Sequence, residues 1–288
     1  MILAPLRGVT IRCFRETFAE EIRAAGFTEA ITPFITAIRG YDPLKDRELQ
    51  GVRDASVKVT PQFIGKDPVA LRECLLRIKS VGFDTADLNC GCPFPMVRNK
   101  GRGSGLLRAP ETLRKLLEVG CEVMGAGKFS VKARLGVDAN DELLRLMPLI
   151  NEFPLRFLTV HSRNARQMYE GECDDAAFAK IVSAAKVPIV KNGDIAVNAP
   201  RPLGVSDLMI GRAFIRDLGK RADIAALLSR YIASSQAELF GERPVLGRMK
   251  ELLAYWKELP AWSRRWDVIK LCRTLPELQS VLTACLPN

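Results

Sequence analysis

A single histidine, His161, stands among 288 residues, and the eight cysteines are scattered apart from the close pair Cys90 and Cys92. Cys-x-Cys without a second Cys or His pair at ligand spacing is not a structural zinc signature, so no metal site is expected. Eight cysteines in a chain of this length are too sparse for a disulfide scaffold, which leaves reduced thiols as the default. The longest apolar runs fall well short of the ~20 residues that cross a bilayer, and Ile2 opens a strand-like run with no leader before it. The expectation is a soluble, cytoplasmic protein with no membrane partner. Internal repeats and low-complexity segments are also missing.

What is present is apolar bulk and positive charge. A hydrophobic content of 48% over this length buries a large core, as one large barrel or as two domains. Lys and Arg total 43 against 33 Asp and Glu, a formal +10, which admits a polyanionic partner without requiring one.

Short β-branched or apolar runs recur at residues 2–4, 28–32, 57–63, 85–88, 129–135, 157–161, 189–191 and 207–210. Between them, segments such as 69–80, 110–124, 140–151 and 175–185 carry apolar residues at three- and four-residue intervals. This alternation is the pattern of βα units around a parallel sheet, and eight units predict an α/β fold of the (β/α)8 TIM-barrel class. Pro200, Pro202 and Gly204 leave the last crossover room for a loop or a single turn only. Beyond Gly219 the strands stop, and helical spacing continues through 222–239, 246–257, 264–272 and 275–284. The expected division is a barrel over residues 1–219 and a smaller all-α helical domain over 220–288. The helical part holds Trp256, Trp262 and Trp266 beside Arg243, Arg248, Lys250, Arg264, Arg265, Lys270 and Arg273. Aromatics at this spacing read as core or as a base-stacking surface, and the cations as a solvated face or an RNA contact.

In a parallel barrel the chemistry lies at the C-terminal ends of the strands. Asp87-Leu88-Asn89-Cys90-Gly91-Cys92-Pro93 ends the fourth run, and Gly101-Arg102-Gly103-Ser104-Gly105 allows a loop that lies close to a ligand. Cys92 is expected on the exposed turn, whereas Cys90 reads as a packing residue. Polar groups end nearly every other run: Pro5 to Gly8, Gln62, Lys132 with Arg134, His161 with Arg163, Asn192-Gly193-Asp194 and Gly211-Arg212. Loops after the last two strands commonly bind phosphate, which Gly193, Gly211 and Arg212 would suit, although two ordinary strand-ending glycines would look the same. Lys132 and Arg134 alternate with apolar residues and should both face inward. A lysine there suits an anionic ring system such as a reduced flavin, or else an internal salt bridge to Asp87 or Asp194.

These residues together resemble the tRNA-dihydrouridine synthases, over nearly the whole chain. The resemblance is carried by Ala4-Pro5, Gly8-Val9-Thr10, Asn89 to Pro93 with Gly101-x-Gly103 and Leu106-Leu107, and Val131-Lys132-x-Arg134-Leu135-Gly136. It continues through His161-x-Arg163, Gln167-x-Tyr169-x-Gly171, Asn192-Gly193-Asp194-Ile195 and Met209-Ile210-Gly211-Arg212. The form Asn89-Cys90-Gly91-Cys92 and the segment Arg248-Met249-Lys250 are most similar to the bacterial subgroup acting on tRNA position 16. Ser162 and Asn164 replace the Gly and Thr of the family's His-Gly-Arg-Thr motif, Pro33 stands where an acidic residue is common, and the last crossover is short.

The resemblance implies FMN held by Pro5, Leu6, Arg7, Gln62, Lys132, His161, Asn192, Gly193, Asp194, Gly211 and Arg212. NADPH would reduce the flavin, hydride would pass from N5 to C6 of a flipped-out uracil, and Cys92 would protonate C5. Asn89 and Arg134 would orient the base, while Lys100, Arg102, Arg163 and Arg166 would meet RNA phosphates. A monomer is expected to suffice. Two other readings stay open: a flavin barrel acting on a small molecule, and an RNA-binding homologue that has lost turnover.

Overall fold

Parallel pairing closes the strands into a ring. The computed structural model describes residues 1–50 and 57–283 and contains one ten-stranded sheet. Its strands are β1 (Ile2–Leu3), β2 (Glu29–Ile31), β3 (Ile35–Thr36), β4 (Lys58–Thr60), β5 (Gln62–Ile64), β6 (Ala86–Cys90), β7 (Phe129–Gly136), β8 (Leu158–Asn164), β9 (Ile189–Asn192) and β10 (Asp207–Ile210). All pairs are parallel. β2 and β3 are halves of one bent strand, and so are β4 and β5, which Pro61 separates because it has no N–H to give to a neighbour. Thr32 bridges the break: its N–H donates to Thr60 O at 3.0 Å, and its Oγ1 accepts from Gln62 N at 3.0 Å. With β2 on β4, β3 on β5, β5 on β6 and β10 back on β1, the bent strands complete a (β/α)8 barrel.

The helices are α1 (Arg12–Thr17), α2 (Ala19–Ala24), α3 (Pro68–Lys79), α4 (Pro95–Arg98), α5 (Pro110–Met124), α6 (Glu142–Ile150), α7 (Asp175–Ala184), α8 (Arg212–Leu218), α9 (Ile224–Glu238), α10 (Glu242–Leu253), α11 (Pro260–Ile269) and α12 (Leu275–Thr283). The expected extension of the last helix to Ala284 lies outside the described residues. α3 starts where Asp67 accepts from Val69 N–H at 3.0 Å and Pro68 fills a position whose N–H has no partner in any case. Its Ala70, Leu71, Cys74, Leu75 and Ile78 are buried, the spacing that turns one helix face onto a sheet. Gly120 lets α5 press on β7, since a Cβ there would lie 2.1 Å from the Phe129 ring. Residues 193–206 form turns without a helix, as their prolines predict. Inside the barrel, Ile2, Ala4, Ile31, Phe157, Val190 and Met209 form their own buried cluster.

The C-terminal helices share their core with the barrel's outer layer. Tyr231 of α9 packs edge-on to Phe14 of α1 at 6.0 Å and tilted against Phe18 at 5.3 Å. Trp256 and Trp262 resolve as core: their rings meet tilted at 4.8 Å, and they donate their indole N–H groups to Ile215 O at 2.6 Å and Gly219 O at 2.8 Å. Among the described residues no helix is long and apolar enough to cross a membrane.

Candidate active site

A cavity of about 320 Å³ opens at the C-terminal ends of the strands. It gathers Pro5, Leu6 and Arg7 from the loop after β1, Gln62 from β5, Asn89 and Cys92 from β6 and its turn, and Lys132 and Arg134 from β7. His161 of β8, Asn192, Gly193 and Asp194 after β9, and Gly211 and Arg212 after β10 complete it. One period, the strand end of each βα unit, places them all.

A buried hydrogen-bond chain orders one wall. The N–H groups of Gly91 and Cys92 can only donate, and both point at Asn89 Oδ1, at 3.1 and 2.9 Å. Asn89 must therefore offer its Nδ2 to Gln62 Oε1, at 2.8 Å, and Gln62 its Nε2 to Asp87 Oδ2, at 2.8 Å. Ser130 Oγ donates to the other Asp87 oxygen at 2.6 Å. A carboxylate at one end and backbone amides at the other fix a single direction for the chain. Burial pushes the Asp87 carboxyl up to about 6, against the pull of Ser130, Gln62 and Lys132.

Lys132 makes no salt bridge to Asp87 or Asp194; its Nζ donates to Asn192 Oδ1 at 2.9 Å, and Asn192 Nδ2 donates to Met209 O at 2.8 Å. Burial, then the nearby Arg134 guanidinium, brings Lys132 down to about 8, with Asp87 opposing. Arg134 is fixed by Gly91 O at 3.0 Å and Asn164 O at 2.9 Å.

Cys92 departs from the expected exposed turn, being only 7% exposed. The Gly103–Arg108 3-10 segment folds back over it: Ser104 donates its N–H and Oγ to Cys92 O at 3.1 and 2.9 Å. Gly103 is required for that approach, with φ of +57° and a hypothetical Cβ 2.8 Å from Cys92 Cβ. The sulfur-bearing residue still lines the cavity. Burial raises the Cys92 thiol pKa, while the Phe94 amide, Arg134, Arg7 and Lys132 pull it back, so the group is a protonated thiol at neutral pH. Cys90 is fully buried in the outer core, as a packing residue should be.

Arg163 also departs from expectation. At 1% exposure it cannot reach a phosphate in solution; its Nε and Nη2 groups donate to Gly171 O at 3.2 and 2.6 Å, and Nη2 also pairs with Asp194. Its Nη1 lies 3.3 Å from His161 Nε2, and a guanidinium only donates, so the imidazole accepts there. Burial, then Arg134, Lys132, Arg163 and Arg212, holds His161 well below its ordinary pKa and therefore neutral. Asp194 has φ of +45° and spreads its carboxylate between Arg163 and Arg212. Arg166 is exposed on Asp138 at 2.5 Å, Lys100 is exposed, and Arg102 is half-buried with its Nε lacking any acceptor.

Tyr169 is a wall residue that strand-end reasoning missed. Its ring lies 5.2 Å from both the Arg134 and Arg212 guanidinium carbons and 6.3 Å from His161. Asn164 aims its loop: the Asn164 N–H donates to Gln167 Oε1 and the Gln167 N–H returns to Asn164 Oδ1, both at 3.0 Å. The departure of Asn164 from the family motif thus has a local role. For Ser162, fully buried with no partner for its Oγ, nothing in the structure explains the choice.

The closed barrel with a cation-lined cavity at its strand ends defines the class, a (β/α)8 barrel protein with its site in the strand-end loops. An old yellow enzyme homologue from Zymomonas mobilis shares this fold, with a TM-score of 0.56 at 13% identity over 77% of this chain and 87% of that one. The family model described as Dihydrouridine synthase (Dus) matches residues 2–217, and the chain belongs to that family. A tRNA-dihydrouridine(16) synthase of Pseudomonas putida is 28% identical across 99% of this chain and 98% of its own. One from Salmonella typhimurium is 30% identical across 74% and 72%.

Proposed function

We propose that the protein reduces specific uridines of tRNA to 5,6-dihydrouridine with a bound FMN that NADPH reduces, acting in the cytoplasm as a monomer. The observation that carries the reading is the placement of the Cys92 thiol, kept protonated, on the wall of the cavity that also holds Lys132, Asn192 and Arg212. Family membership and the names of full-length relatives support tRNA as substrate and position 16 as its site.

The donor set fits a flavin mononucleotide. Gly193 and Gly211 form a cradle that a Cβ would fill, at 2.8 Å from His161 Cδ2 and 3.1 Å from Ala4 Cβ. Beside it, Arg212 offers a fixed charge for a phosphate. Gln62, Lys132 and Asn192 give a polar edge to a ring system, and Pro5, Leu6 and Arg7 give it a floor. Asp194 sets Arg212, and neutral His161 offers hydrogen bonding without charge. When bound and reduced, the flavin supplies the hydride. Asn89 and Arg134 orient the uracil, and Cys92 Sγ delivers the proton to C5, the work of a general acid within reach of its target. Lys100 and Arg102 meet RNA phosphate, as does Arg166 on release from Asp138. The helices of residues 220–288 form the tRNA-binding part.

Mapping dihydrouridine in tRNA from cells with and without the gene tests this reading. Loss of the modification at one position, restored by the intact gene, is the expected result. An unchanged map, or a purified protein that stays colourless after reconstitution with FMN, overturns it.

A further inference from the structure

Several cations near the cavity mouth are tied to carboxylates: Arg163 of β8 and Arg212 after β10 to Asp194, and Arg166 after β8 and Arg108 of the Gly103–Arg108 segment to Asp138. Four others, on the loops after β5 and β6, are not. Lys66, Arg98, Lys100 and Arg102 have no carboxylate partner among the described residues, and the buried Nε of Arg102 has no acceptor at all. Lys66 belongs to the same surface, because a Cβ on Gly101 would lie 3.6 Å from its Cδ.

Two large apolar side chains stand among these cations. Met96 is 81% exposed and Phe94 is 44% exposed while also lining the cavity. Their loop is held to a fixed shape: Gly103 packs on Cys92, and Gly105 packs on the Arg98 carbonyl, 2.3 Å from where a Cβ would be. An exposed aromatic beside the mouth, on a loop that carries unpaired cations, matches an unstacked base followed by its phosphates. Bases stack on aromatic faces whatever their sequence, and unpaired cations replace the counterions of the backbone.

We propose that Phe94 and Met96 form a stacking shelf for the nucleotide adjoining the target uridine, with Lys66, Arg98, Lys100 and Arg102 holding the phosphates of that RNA segment. This rests on the reading that the substrate is tRNA. Opening a nucleotide toward Cys92 breaks its stack with a neighbour, and the shelf gives that neighbour a new stacking surface.

The test is tRNA binding to the full-length, flavin-loaded protein by fluorescence anisotropy across a salt series. Phe94→Ala and Met96→Ala should each weaken binding by roughly 5- to 100-fold, with Phe94→Trp restoring it. Lys66→Ala and Lys100→Ala should each reduce the salt slope by roughly 0.7, the amount lost per single-strand phosphate contact. Arg114→Ala, whose guanidinium already sits on Glu152 at 2.6 Å, should leave the slope unchanged. Full tRNA affinity in the Phe94→Ala and Met96→Ala proteins, with flavin content intact, overturns the shelf and leaves the patch to a protein partner. Binding through the shelf without uridine reduction upholds it and sinks the proposed activity; reduction with both variants at full affinity does the reverse.

Discussion

Asn89 holds Cys92 by the backbone: its Oδ1 accepts the Cys92 N–H at 2.9 Å, which fixes where the thiol enters the cavity. The contact separates two roles within four residues: Asn89 positions the loop, and Cys92 is the proposed proton donor. Cys92→Ala should keep FMN and its reduction by NADPH while single-turnover uridine reduction falls by roughly 10²- to 10⁴-fold, the usual share of a general acid. An unchanged single-turnover rate would remove Cys92 from the chemistry.

Asp87 terminates the same chain, and its charge and its shape can be told apart. Its carboxyl is raised by burial to about 6, so the folded protein holds this proton more tightly than the unfolded chain. Stability from this group is therefore full below about pH 4 and is lost as pH rises through about 6. Asp87→Asn removes the buried charge yet keeps an acceptor for Gln62, so its Tm should exceed that of the wild type at pH 8 and match it near pH 4. Asp87→Leu leaves Gln62 Nε2 without an acceptor, at a cost of about 1–3 kcal/mol. Peptide-level alkylation of Cys92 should quicken in the Leu variant only. Equal alkylation in both would show that the chain does not hold the thiol loop.

The βα alternation was legible because burial on a parallel sheet imposes it on every unit. Residues 110–124 match α5 at both ends, where Pro110 and Gly125 punctuate the helix. The bend at Pro61 was hidden inside one apolar run, 57–63, and the contact that bridges it comes from Thr32, far back in the chain. The same limit governs the site. Strand-end residues share a period and could be found, whereas Tyr169 sits in a loop beyond β8 and is aimed by Asn164 and a positive φ at Met168. The burial of Arg163 was not legible because Asp194, the partner that holds it inward, arrives from another loop. Cys92 is covered by Ser104, a fold-back that the glycines permit but do not dictate.

Lys132 should give flavin binding a pH dependence. Burial and Arg134 lower it to about 8, so the cation is present at neutral pH and is lost as pH rises through that value. FMN affinity of the apoprotein should therefore decline between about pH 6.5 and about pH 9. Lys132→Met should bind FMN more weakly throughout, with a flat profile. Fluorescence-quenching titrations read both, and a flat wild-type profile would rule Lys132 out as the titrating group.

Gly193 carries both backbone strain and close approach. Its φ is +112°, and a Cβ would lie 2.8 Å from His161 Cδ2 and 2.9 Å from Cys173 Sγ. Gly127 has φ of +69° with nothing within 4 Å, so it isolates the backbone contribution. Gly127→Ala should cost about 1 kcal/mol with FMN retained. Gly193→Ala should cost more and lose FMN, because His161 and Cys173 must both move. Thermal melts with released-flavin fluorescence separate the two, and a yellow Gly193→Ala protein would contradict the cradle.

The packing near Gly219 ties the C-terminal helices to the barrel. Trp256 and Trp262 donate to backbone carbonyls of residues 215 and 219, and Tyr231 covers Phe14 of α1 and Phe18 just after it. Removing residues 220–288 would uncover those phenylalanines and leave the C-terminal carbonyls of α8 without their indole donors. A chain truncated after Gly219 should therefore be insoluble or should melt without cooperativity, even though every cavity residue remains. In the full chain, Trp262→Ala should lower stability by about 3–5 kcal/mol, as emptying a large aromatic site in a core does. Denaturant titration measures the second and flavin content of the soluble fraction the first. A soluble, yellow, cooperatively melting truncation would establish that the barrel folds alone.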